Sequence, residues 1–222
     1  MQKFNSPAPI AAVLDIPAGL VRFIAADRAD TTVEVLPADA SKGRDVKAAE
    51  QITVEYVGGV LRISAPTAKN QYFGPSGSVE VTVQLPAGSR VEAKAAGGGF
   101  RGVGRFGEVV FEGAQGAVEI EEAASVRVTT LAGDVSVGRL GGPAEISTAK
   151  GDIRIAEAVR GALALRTQAG DISVGAAAGV CASLDAGTDY GRIHNSLKNT
   201  EGSADLSIQA TTAQGDITAR SL

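Results

Sequence analysis

The 222-residue chain has no tryptophan, one cysteine, one histidine and one methionine, and aromatic residues make up only 4% of it. One cysteine excludes an intramolecular disulfide framework and most cysteine-built metal sites. So few aromatics leave little bulk for a thick helix-on-sheet core and few platforms on which sugar rings or bases could stack. No run of the sequence approaches the roughly 20 apolar residues that a membrane-spanning helix needs. The longest early apolar stretch, 9–21, is broken by Asp15, Pro17 and Gly19, and the only early basic residue is Lys3. Met1–Leu20 therefore does not read as a signal peptide, and the expected location is the cytoplasm. An excess of positive charge is missing as well. The formal charge is −4, with nine basic and nine acidic residues in 1–90 and twelve and sixteen in 91–222. Neither part is basic, so an electrostatic grip on nucleic acid or on an anionic membrane is not expected.

What is present is a repeat. Thr130-Leu-Ala-Gly133-Asp-Val-Ser-Val137 aligns with the segments that begin at Thr148, Thr167 and Thr212. The segment from Thr188 follows the same pattern with Arg192 in place of Asp. Two weaker copies precede these, at Gly98 and Gly116. Successive key glycines are separated by 18, 17, 18, 19, 21 and 24 residues. Before each Thr, apolar and polar residues alternate, as in Val126-Arg127-Val128 and Leu163-Ala164-Leu165. After each glycine, Val135, Ile153, Ile172, Ile193 and Ile217 form one column, and Ser136, Arg154, Ser173, His194 and Thr218 form the next. Period-two alternation marks a half-buried strand. Each repeat therefore reads as strand, tight glycine turn, strand and looser return. One such coil cannot bury its own apolar face, but a stack of coils can.

The expected fold is an all-β, parallel β-solenoid (β-helix), right-handed because crossovers between parallel strands nearly always are. It is expected to be one domain over 1–222, with repeat coils of 18–24 residues in 91–222 and an N-terminal β-rich capping part in 1–90. In that first part Val33–Leu36, Gln51–Tyr56, Val60–Ile63 and Ser78–Leu85 alternate as strands. Gly58-Gly59 signals a hairpin between two of them. Leu85-Pro-Ala-Gly88 reads as the passage into the coils, and polar 39–50 reads as a loop or one short helical turn.

These residues resemble a known group of chains. Ile16-Pro-Ala-Gly19, Val33-Glu-Val-Leu-Pro37, the run 59–66, the run 77–89 and the T-x-x-G-D-I repeats are similar to bacterial β-strand-repeat proteins of unknown function, labelled "putative adhesins" and common in actinobacteria. The resemblance covers nearly the whole chain and implies a β-solenoid with no known catalytic residue. The adhesin label implies surface display. Arg192 and the weak coils at Gly98 and Gly116 depart from the consensus but keep its spacing.

The chemical motifs weigh less than the repeat. Gly97-Gly-Gly-Phe-Arg-Gly102 matches G-x-G-x-x-G, but the glycine-rich 103–113 that follows has no helical period to present to a pyrophosphate. Asp134, Asp152, Asp171 and Asp216 form a column that could bind Ca²⁺. With one acid per coil and Arg192 interrupting the column, they read better as turn-capping residues. Cys181 and His194 suggest a nucleophile and base, yet both read as outward-facing and no third group orients them. Arg101 and Arg105 beside Phe100 and Phe106 suggest a nucleic-acid loop, but Glu108 and Glu112 follow at once. No catalytic, cofactor-binding or metal-ligating residue is assigned. The expected role is a non-enzymatic scaffold that meets a protein partner or another copy of itself, using the open edge of the final coil at 215–222. The alternative is a carbohydrate-active enzyme or glycan binder on the same scaffold.

Overall fold

Alternating residues rich in Val, Ile and Ala favour strands, and strands are what form. A computed structural model of the chain describes residues 1–66, 77–198 and 204–222. Its elements are β1 (Gln2–Asn5), β2 (Ala11–Ala26), β3 (Asp30–Pro37), α1 (Gly43–Gln51), β4 (Thr53–Val57), β5 (Val60–Ser64), β6 (Val79–Pro86), β7 (Arg90–Gly97), β8 (Phe100–Gln115) and β9 (Val118–Ala132). They continue with β10 (Val135–Leu140), β11 (Ala144–Lys150), β12 (Ile153–Ala158), β13 (Gly161–Ala169), β14 (Ile172–Ala176), β15 (Ala182–Tyr190), β16 (Ile193–Ser196), β17 (Leu206–Gln214) and β18 (Ile217–Ser221).

The strands stack as two parallel ladders. The first runs β5, β2, β7, the later part of β8, the later part of β9, β11, β13, β17 and β15. The second runs β6, the later part of β2, then the earlier parts of β8 and β9, then β10, β12, β14, β18 and β16. Long strands such as β2, β8 and β9 belong to both ladders, so each supplies a whole coil. Parallel stacking begins with β2, well before residue 91. Antiparallel partners flank the first coil: β4 lies on β5, β3 on β6 and β1 on β3. The β4–β5 hairpin turns at Gly58 and Gly59, with φ of +59° and +80°, the paired left-handed geometry of a two-residue turn.

The core fills the space between the ladders. Val135, Ile153, Ile172 and Ile217 form one continuous interior row in register, each buried. The core is not uniform along the stack. Phe23, Phe100, Phe106 and Phe111 are all buried in the early coils, with ring centroids 5.8 Å apart for Phe23–Phe100 and 5.3 Å for Phe100–Phe111. The later coils are lined by Val, Ile, Leu and Ala.

Two expectations need correction. Residues 39–50 hold more than one turn, because α1 is a nine-residue helix. Its buried Asp45 accepts the Ser78 N–H at 3.0 Å, and Ala48 and Ala49 pack against the core. The inward face of α1, Asp45, Ala48, Ala49 and the C-cap Ile52, keeps helical spacing but holds an acid and two small residues, so the segment reads as polar. The coils also do not stack in chain order. β17 lies between β13 and β15, and β18 between β14 and β16. The coil containing 215–222 is thus covered on both sides and has no open edge. The edge belongs to β15 and β16, beyond which no strand pairs among the described residues.

Candidate functional site

The repeat sequence builds two polar ladders at the turn. Gly133, Gly151, Gly170 and Gly215 all have positive φ, from +141° to +152°. A Cβ on any of them would stand 2.0–2.3 Å from the carbonyl oxygen of the glycine one coil before. Only glycine allows coils to approach so closely with that backbone. The aspartates beside them hold successive coils together. Asp134 Oδ1 accepts the Asp152 N–H at 2.9 Å, Asp152 Oδ1 the Asp171 N–H at 2.8 Å, and Asp171 Oδ1 the Asp216 N–H at 2.7 Å. Asp216 Oδ1 then accepts the Arg192 N–H at 2.8 Å. Each carboxylate therefore satisfies a donor of the next coil in space. The threonines run the other way: Thr167, Thr212 and Thr188 donate to the carbonyls of Gly151, Gly170 and Gly215 at 3.0–3.1 Å. Thr130, at the start of the row, has a buried hydroxyl with no partner.

Arg192 now has a physical reason. It occupies the last position of the aspartate ladder, and among the described residues no further coil offers an N–H for a carboxylate there. Sequence order placed this departure in the middle of the repeat, whereas space places it at the end. The long glycine spacings of 21 and 24 residues, together with the missing Asp, were the available signal of that displacement.

The β15–β16 coil is built like its neighbours but lies open. Ile193 shares a column with Ile217, yet it is 47% exposed where Ile217 is 1% exposed. Asn195 stands in the next interior column, opposite buried Ala219. Leu184 and Ala186 are half-buried, and Tyr190 is 75% exposed. Asp185 and Asp189 project from β15, and Arg192 and His194 lie exposed on the turn and on β16. The outer faces of the earlier coils, from β7 to β12, carry acid–base rungs: Arg90–Glu108 at 3.1 Å, Lys94–Glu112 at 3.0 Å, Arg127–Glu145 at 3.3 Å, and Arg139 with Glu122 and Glu157 at 3.3 and 3.4 Å. The Glu112 carboxylate raises the Lys94 ammonium above its ordinary pKa. Among the described residues no ion pair involves Asp185, Asp189, Arg192 or His194.

The other sequence motifs resolve into structure. The glycines at 97–102 enter strand β8, not a helix. Phe100 and Phe106 are core residues, and Arg101 pairs with Glu119 at 3.6 Å. Cys181 is half-buried just before β15, next to buried Ala182, and its carbonyl accepts the N–H groups of Asp205 and Leu206 at 3.0 and 3.1 Å. His194 is exposed on β16. Among the described residues no cluster of three or more His, Cys, Asp or Glu side chains could hold a metal ion, and no helix is long and apolar enough to cross a membrane.

No curated protein matches the chain. Among solved structures it is similar to a "putative cell adhesion protein" from Clostridium sporogenes, at 10% identity over 100% of this chain and 98% of that one, with a TM-score of 0.42. It is similar to a "putative adhesin" from Bacteroides fragilis, at 11% identity over 98% and 95% of the two chains, TM-score 0.44. A "putative lipid binding protein" from Parabacteroides distasonis is similar at 9% identity over 98% and 95%, TM-score 0.34. The family described as Toastrack DUF4097 matches residues 17–221, and the chain belongs to it.

Proposed function

We propose that the chain is a non-enzymatic, adhesin-like scaffold, a single right-handed solenoid domain over 1–222. Its N-terminal antiparallel strands cap one end, and its other end meets a protein partner or a second copy. The observation that carries this reading is the β15–β16 coil, a strand edge with half-exposed core residues and unpaired charges. A sheet edge presents backbone N–H and C=O groups that a further strand can pair with, and natural sheets leave such edges bare rarely.

The test has two arms. In the first, the chain is incubated with a panel of bacterial polysaccharides while reducing ends and unsaturated sugars are followed. No turnover is expected, and turnover would establish the carbohydrate-active alternative. In the second, hydrogen exchange is measured with and without a protein ligand captured by the immobilised chain. Protection is expected on β15 and β16, and protection confined to the N-terminal strands would overturn the reading. The cytoplasm is the proposed location, and finding the chain on the cell surface after fractionation would displace it.

A further inference from the structure

We infer that the partner for the β15–β16 edge is a second copy of the same chain, joined by a two-fold axis into an isologous dimer. The inference rests on the scaffold reading and goes beyond it by naming the occupant. Three observations support it.

The first is the charge of the end coil. Where outer-face charges of opposite sign meet on neighbouring coils they pair, as Arg127 does with Glu145 at 3.3 Å. The end coil carries both signs, Asp185 and Asp189 on β15 and Arg192 at the turn, all exposed.

The second is geometry. A two-fold axis in the plane of the end coil, running along its strands, lays β15 of one copy across β16 of the other. The two strands run antiparallel and both turns fall at the same end. Asp189 then faces Arg192 and His194 of the partner subunit, and the half-exposed Ile193 and Leu184 close against apolar neighbours. The other obvious two-fold lays β15 on β15 and sets Asp185 and Asp189 of the two copies near one another, which like-charge repulsion opposes.

The third is the difference between the two ends. The outermost strands at the far end are antiparallel β4 and β1, each paired on one side, so a head-to-tail contact would set a parallel coil against an unlike edge. An end coil that carries both charge signs complements a second copy of itself, which gives an isologous pair.

The experiment is sedimentation equilibrium with light scattering on the full chain, from micromolar to hundreds of micromolar. The expected result is a reversible mass increase that stops at two copies. Asp189→Arg alone and Arg192→Asp alone each weaken the dimer about tenfold or more. The double variant D189R/R192D recovers it, because the swap restores opposite signs across the axis. Thermal melting of the dilute variants shows that each still folds. A monomer at every concentration, growth past two copies, or a dimer indifferent to both single reversals each overturns the inference. The scaffold reading fails separately, through sugar turnover or protection away from this edge.

Discussion

The two ends of the stack meet the same physical problem with different solutions. At one end the edges of β5 and β6 are covered by antiparallel β4, β3 and β1, and α1 packs beside them. At the other, β15 and β16 have no further strand among the described residues. Yet the ends share a device. β2 is threaded between β5–β6 and β7–β8, and β17–β18 between β13–β14 and β15–β16. In each case the threaded strands pair on both sides, and the edge is left to other strands: β1 and β4 at the covered end, each paired on one side, and β15 and β16 at the other. The ends therefore differ in the kind of edge they leave, antiparallel strands at one and a parallel coil at the other.

Substitutions within one column separate the buried interior from the bare end most strongly. Ile172→Asp places a charge in the buried row with no partner and is expected to unfold the protein, a loss above about 4 kcal/mol. Ile193→Asp, in the same column but at the bare end, is expected to cost less than about 1 kcal/mol. Ser173→Asp, one residue from Ile172 and facing outward, stays within about 0.5 kcal/mol. Urea midpoints for the three variants measure this directly. Equal losses at Ile172 and Ile193 would mean that the bare end is covered in solution, which the dimer would also produce at high concentration, so the melts belong at dilute protein.

The next effect compares the two edges themselves. Ile63 in β5 is 1% exposed under its antiparallel cover, whereas Leu184 in β15 is half-buried. Truncating a buried aliphatic costs roughly 2–5 kcal/mol and leaves a cavity, while a half-buried one gives up correspondingly less. Ile63→Ala is expected to cost about 3 kcal/mol and Leu184→Ala about 1 kcal/mol. Hydrogen exchange follows the same order, with amides of β5 and β6 opening more slowly than those of β15 and β16.

The aspartate ladder gives a smaller and sharper contrast. Asp216→Ala removes the acceptor for the Arg192 N–H and is expected to loosen the end coil by about 1 kcal/mol. Arg192→Ala removes a side chain whose position serves no later coil and is expected to leave monomer stability unchanged within about 0.5 kcal/mol. A large loss from Arg192→Ala in the monomer would show that the ladder's end carries structural work that its geometry does not reveal.

How much of this was legible in the sequence depends on the range over which each feature is decided. The interior column Val135, Ile153, Ile172, Ile217 and the turn glycines follow from local rules, alternation and close approach, so the repeat displayed them. Helix α1 was obscured because the face it turns inward is small and partly polar: Ala48 and Ala49 pack on the core, and buried Asp45 finds its partner, the Ser78 N–H, 33 residues away. The threading of β17–β18 was not visible because every coil obeys the same local rules. Nothing in Thr212–Ala219 distinguishes a coil that stacks next from one that stacks earlier. The signal lay in the irregularity at Arg192, which sequence order reads as noise and spatial order reads as the end of a ladder.

The smallest expected effect lies at the covered end and concerns its outermost strand pair. Asp30, where β3 begins, accepts a hydrogen bond from Arg28 at 2.8 Å and holds the Lys3 ammonium of β1 at 2.8 Å. Arg28 and then Lys3 draw its carboxyl pKa down from 3.8 to about 2. The folded value lies below the unfolded one, so the contacts stabilise the fold fully above the unfolded value. Their contribution declines as pH falls through that value and is gone below about 2. The group is partly accessible and solvent screens it, so the change is local: β1 should loosen from β3 between about pH 4 and pH 2 while the coils remain. Amide chemical shifts of Gln2–Asn5 followed against pH would record it, and Asp30→Asn should abolish that titration and leave β1 partly loosened at neutral pH. If β15 and β16 loosened in the same window while β1 held, the covered end would owe its order to the antiparallel backbone pairing of β1 with β3, not to the charges that flank it.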